Sequence, residues 1–196
     1  MTMTLSRLVY QAGLIIAALL VLAGCAGQPV ATVPSLATLP EMETQRQRLT
    51  FEHDDQRHEM IGVLRHDDKA LRLAILSPQG QRLLTLIHDD SGSRFLQDAA
   101  FEPPFTAEWL ASRLSWNLWP APAIDQAFES NAWSLQEDET GRTIRYRQRV
   151  VARISGNPAC TLIDDVEAGY RLYIMPLSDS NSNSDTDQTA APCLTP

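Results

Sequence analysis

Leu71-Arg-Leu-Ala-Ile-Leu-Ser-Pro-Gln-Gly-Gln-Arg-Leu-Leu-Thr-Leu86 is the stretch that decides the fold. Leu71, Leu73 and Ile75 alternate with other residues, so an extended chain puts them on one face. After the break, Leu84 and Leu86 share a face, with Leu83 and Ile87 opposite. Between the runs, Ser77-Pro-Gln-Gly80 joins a proline with fixed φ to a glycine free to take positive φ. Two alternating runs around such a turn predict an antiparallel hairpin with Gln79 at its tip.

The same alternation extends outward. Leu49 and Phe51 mark a strand upstream, residues 59–65 a second, and residues 93–97 another downstream. The period then changes. Phe105, Trp109, Leu110 and Leu114 fall at helical spacing up to Trp116, with Thr106 as N-cap and Glu108 at the positive helix end. Pro120 and Pro122 stop this helix and open a second through Ile124, Ala127 and Phe128, just after Trp119. Strands return at residues 133–136, as one long strand over 142–154, and as a last pair at 160–164 and 170–175. The layout is mainly β (α+β): about five strands, one or two helices, then about four strands. A single antiparallel sheet of that size curves strongly, and a helical insert can cover its concave face.

Both ends read differently from this domain. Leu14-Ile-Ile-Ala-Ala-Leu-Leu-Val-Leu-Ala-Gly-Cys25 is an apolar run preceded by Arg7 and closed by small residues. It is too short to span a bilayer comfortably and reads as a signal peptide. Its last four residues, Leu22 to Cys25, resemble the lipobox of bacterial lipoproteins. That resemblance implies cleavage after residue 24, acylation of Cys25, and, with Ala26 next, sorting to the outer membrane facing the periplasm. The expected organisation is a signal peptide (1–24), a lipidated cysteine with a flexible Ala/Thr/Ser/Pro tether (25–44), the β domain (45–177), and a disordered polar tail (178–196).

The chain has 16 Lys+Arg against 24 Asp+Glu, a net charge of −8, and the leader removes only the basic Arg7. That acidity argues against nucleic acid, whose binding needs a basic surface. Cys160 and Cys193 are either a disulfide, which an oxidising periplasm permits, or two free thiols. His-Asp-Asp occurs at 53–55, 66–68 and 88–90, but each copy sits where a strand should end, so turn capping explains the aspartates and no metal site is expected. Arg145, Arg147, Arg149 and Arg153 fall on one face of the expected long strand. They are either a solvated face or a contact for a phosphate headgroup or acidic partner. No G-x-S-x-G, H-E-x-x-H or Gly-rich phosphate loop is present, so neither catalysis nor a cofactor is expected.

The hairpin quoted above, followed by the amphipathic Trp109-Leu110 helix behind a lipobox, resembles the LolA/LolB lipoprotein-localisation factors. Residues 45–177, with Asn-Leu-Trp-Pro at 117–120 and the Gly169-Tyr170 strand, resemble more closely an uncharacterised family of short proteobacterial outer-membrane lipoproteins. The resemblance implies an unclosed β-barrel whose apolar cavity, capped by a helical lid, holds an acyl-type ligand: a lipid, the acyl chains of a lipoprotein, or, from that family's association with aryl-polyene genes, a polyene lipid. Its cavity and lid would be formed by Leu71, Leu73, Ile75, Leu84, Leu86, Trp109, Leu110, Leu114, Trp116, Trp119 and Phe128. In the LolB-like receptor the hairpin tip carries an exposed leucine that engages the membrane; here the tip is Gln79, which lacks that apolar insertion. The alternative is a structural or assembly lipoprotein with a filled core, binding an envelope protein through its arginines.

Overall fold

The structure, a computed structural model, describes residues 29–97, 102–177 and Cys193. The described residues from Ala31 onward belong to one compact unit. Its ten strands are β1 (Met42–His53), β2 (Gln56–His66), β3 (Ala70–Leu76), β4 (Arg82–Asp89), β5 (Gly92–Phe95), β6 (Trp133–Asp138), β7 (Gly141–Tyr146), β8 (Arg149–Asn157), β9 (Cys160–Asp165) and β10 (Tyr170–Pro176). Two helices, α1 (Ala107–Leu118) and α2 (Ala121–Phe128), lie between β5 and β6 in the chain.

All ten strands form one antiparallel sheet in the order β5-β4-β3-β2-β1-β10-β9-β8-β7-β6. The sheet is not closed: β5 and β6 are its two edges, and the helices are the chain that connects them. Antiparallel connectivity puts the β1–β2, β3–β4, β7–β8 and β9–β10 turns at one end. The β2–β3, β4–β5, β6–β7 and β8–β9 turns lie at the other, where the chain also enters β1.

The pleat sorts residues by parity. Leu49, Leu64, Leu71, Leu73, Leu86, Ile144, Ile154, Ile163 and Ile174 join Trp116, Trp119, Ile124 and Phe128 of the helical insert in the main core. A fully buried aliphatic such as Leu71, Leu86 or Ile124 contributes about 1.5–3 kcal/mol. Gly62 makes room on this face, since a Cβ there would come within 2.9 Å of the Leu49 side chain. Gly141 is required for a different reason: at φ 138 its missing side chain lets the Ile154 carbonyl approach.

Helix α1 starts where its sequence says it should. Thr106 Oγ1 accepts from the Trp109 amide at 3.2 Å, Glu108 sits in the first turn, and Pro120 follows the last turn.

Two expectations are corrected. The long strand over 142–154 is a hairpin, β7 and β8, turned at Arg147 (φ 47) and Gln148 (φ 69). A two-residue turn with both φ positive matches the twist of paired strands, but it is normally signalled by Asn-Gly or Asp-Gly. The tether also ends early. Residues 31–40 pack on the domain: Ala31 and Leu39 are buried, and Val33 and Leu36 lie against the main core. Their apolar groups have no helix or strand period, which is why the composition reads as linker. The segment expected as a signal peptide (1–24), Cys25, and residues 178–192 and 194–196 of the expected tail lie outside the described residues.

Candidate functional site

The concave face and its helical roof bring together most of the residues assigned to the expected cavity; Leu84 is buried but is not part of the main core cluster. Leu71, Leu73, Leu84, Leu86, Trp109, Trp116, Trp119 and Phe128 are buried. Ile75, Leu110 and Leu114 are partly buried against the same core. Register explains the convergence: Leu73 pairs with Leu86 and Ile75 with Leu84, so both rows of the β3–β4 hairpin face inward. Aromatic contacts carry the roof onto the sheet. Trp116 and Phe128 lie 5.8 and 6.0 Å from Trp133, and Trp119 meets His88 edge-on at 6.4 Å. The interior is occupied by these side chains, and Trp116 is 0% exposed.

A charged group lies inside this apolar layer. Arg113 of α1 is 2% exposed. Its Nε donates to Asp165 Oδ2 and one terminal nitrogen to Glu167 Oε2, both at 3.1 Å. Its guanidinium lies 4.4 Å from the Trp109 ring centre and 4.5 Å from that of Trp116, a cation–π sandwich. Asp165 also accepts from the Ala168 amide and so fixes the β9–β10 turn. Beside it, burial first and then the Asp165 charge raise the Tyr170 hydroxyl pKa well above 10.0. The reading from sequence missed this cluster, although its signal was present. Trp109, Arg113 and Trp116 are spaced i, i+4, i+7, which places all three on one helix face.

The indole nitrogens of Trp109 and Trp116 are buried without a hydrogen-bond partner, as are His66 Nε2 and the Thr50 and Thr85 hydroxyls. Arg142 fastens the far end of α1, donating to the Trp116 and Trp119 carbonyls at 2.9 and 2.8 Å.

The remaining candidates sit outside the interior. Gln79 is exposed at the β3–β4 turn. The four arginines do not form one strip: the turn divides them between two strands. Arg153 points outward to Asp164 at 3.8 Å, while Arg145 donates to the Gln148 carbonyl and Arg147 lies over the Tyr146 ring. Arg149 is exposed beside the turn. Cys160 and Cys193 are joined in a disulfide, packed with Leu162, Tyr173 and Met175 away from the main core. In the three His-Asp-Asp segments Asp67 accepts from the Lys69 and Ala70 amides, Asp89 accepts from Ser91, and His53 lies 3.2 Å from Asp54. Among the described residues no group of three or more His, Cys, Asp or Glu could hold a metal ion. An open polar depression of about 640 Å3 lies between the β1–β2 and β9–β10 turns, lined by His53, Asp54, Arg57, Asp164 and Arg171 among others.

Fold and site together define a mainly β protein: an open ten-stranded antiparallel sheet with two helices over an apolar concave face. The chain belongs to the DUF3261 family of proteins of unknown function, whose pattern it matches over residues 44–178, more than half its length. No match is found among curated proteins.

Proposed function

We propose that this chain is an outer-membrane-anchored, periplasm-facing lipoprotein that binds or transfers an acyl-type ligand between its concave sheet and helical roof, without catalysis. Cys25 is its lipid attachment point, and the half-barrel likeness to the LolA/LolB factors belongs to the same reading. One observation carries it: the apolar faces of both helices and of the concave strands converge on a single interior that the sheet leaves unclosed between β5 and β6. Burying ligand hydrocarbon there contributes about 0.8 kcal/mol per methylene, so a single acyl chain supplies enough driving force to compete with partial repacking of the core. The two unpartnered indole N–H groups are donors that an ester or carboxyl oxygen satisfies.

The test is tryptophan emission from the domain expressed from Gln28 onward, titrated with a fatty acid and with a phospholipid. A saturable shift supports the reading; an unchanged spectrum through both titrations contradicts it. The anchor is tested separately, since Cys25→Ser should move the protein from the membrane pellet to the soluble periplasmic fraction.

A second reading has its own observation. In a chain of net charge −8, no carboxylate lies within ion-pair distance of Arg145, Arg147 or Arg149 among the described residues. Three unneutralised guanidinium groups at one hairpin tip suit an acidic envelope protein. Charge reversal at Arg147 and Arg149 should abolish such a contact and leave lipid titrations unchanged.

A further inference from the structure

We infer that residues 31–40, and not the helical roof, are the gate of the proposed acyl site. The inference rests on the acyl-binding reading and names how that site is opened.

The roof is pinned. Helix α1 is tied through buried Arg113 to Asp165 and Glu167, and its last turn is tied through Arg142 to β7. Moving it would strand a buried guanidinium and a buried carboxylate, which is strongly unfavourable. Residues 31–40 are held differently. They join no strand ladder, and among the described residues their polar ties to the rest of the domain are two hydrogen bonds accepted by the segment's own backbone carbonyls. The Trp119 indole donates to the Ser35 carbonyl at 3.1 Å, and His66 Nδ1 donates to the Pro40 carbonyl at 3.0 Å. Ser35 also organises the segment locally, accepting from the Thr38 amide and hydroxyl at the short 3-10 turn Leu36–Thr38. The rest of the hold is apolar, through Ala31, Val33, Leu36 and Leu39.

The position suits a gate. Trp119 ends α1, touches His88 of β4, and His88 pairs with Leu71 of β3, which in turn pairs with His66 of β2. The segment therefore lies over the end of the concave interior where three inner strands meet the α1–α2 junction. It is also the chain between Cys25 and β1. Its release would free the interior's end and lengthen the tether by ten residues, a reach of roughly 35 Å. Opening the site and lengthening the tether are one event.

The test uses the chain from Gln28, which lacks Cys25 but keeps the whole segment, as wild type and as Leu39→Asp. Association of anthroyloxy-stearate is followed by stopped flow, and amide exchange at Thr38 and Leu39 is measured with and without the probe. The gate predicts association about tenfold faster in the variant, because the open state no longer has to be drawn from a small population. It also predicts that Thr38 and Leu39 lose protection in the wild type when the probe binds. Equal association rates, with protection retained in the bound wild type, overturn the gate and leave acyl binding standing. No probe bound by either chain overturns the acyl-binding reading and the gate with it. If Leu39→Asp loses its sheet, the wild-type exchange result decides alone.

Discussion

Arg113 and Asp165 meet at 3.1 Å across 52 residues of chain, with side chains 3% and 0% exposed, and this pair fixes the helical roof to the sheet. A buried pair of this kind is costly to break from one side. Arg113→Leu leaves buried Asp165 without its cationic partner and should lower unfolding stability by about 3–5 kcal/mol in urea titration. Arg113→Leu combined with Asp165→Asn, which removes the charge and keeps an acceptor for the Ala168 amide, should lose less than the single variant. Equal losses would show that the pair is not the tie described.

Tyr170 gives a pH signature on the alkaline side. Burial, and then the charge of Asp165, hold its folded pKa above the ordinary 10.0. Above pH 10 the unfolded chain releases this proton while the folded chain keeps it, so stability falls as pH rises. Urea midpoints measured from pH 9 upward should decline in the wild type and decline less in Tyr170→Phe. Parallel curves would contradict the assignment.

Asp89 supplies the acidic counterpart. The Arg94 guanidinium and the Ser91 amide hold its pKa down to about 2, from 3.8. Its contribution to the β4–β5 hairpin is therefore present above pH 3.8 and lost as pH falls toward 2. Carboxyl NMR titration should place Asp89 near the low value, and Arg94→Gln should return it toward the ordinary one.

The β7–β8 turn carries removable strain. Arg147 and Gln148 hold φ 47 and 69 without the side chains that tolerate them. Replacing the pair by Asn-Gly should stabilise the chain by about 1 kcal/mol. A loss of stability would mean that the arginine's position over Tyr146 outweighs the backbone strain.

Legibility in the sequence followed local chemistry. The β3–β4 hairpin was readable because Leu71, Leu73, Ile75 and Leu84, Leu86 keep strict alternation around Pro78 and Gly80. Helix α1 was readable because Thr106 and Pro120 bracket a 3.6-residue pattern. The Arg147-Gln148 turn was hidden because neither residue is a usual left-handed type, so hairpin β7–β8 reads as one strand. Residues 31–40 were hidden because Pro34, Ser35 and Pro40 break any period that their buried groups could display. Arg113 was passed over because a charge on an amphipathic helix is ordinarily solvent-facing. Its position between Trp109 and Trp116 is the feature that separates it from such charges.

The acyl-binding reading is tested most directly by native mass spectrometry of the chain from Gln28, expressed in the periplasm. Acyl binding requires a lipid-sized adduct that is lost on denaturation and recovered in an organic extract. A single adduct-free mass that takes up neither added fatty acid nor added phospholipid would contradict it.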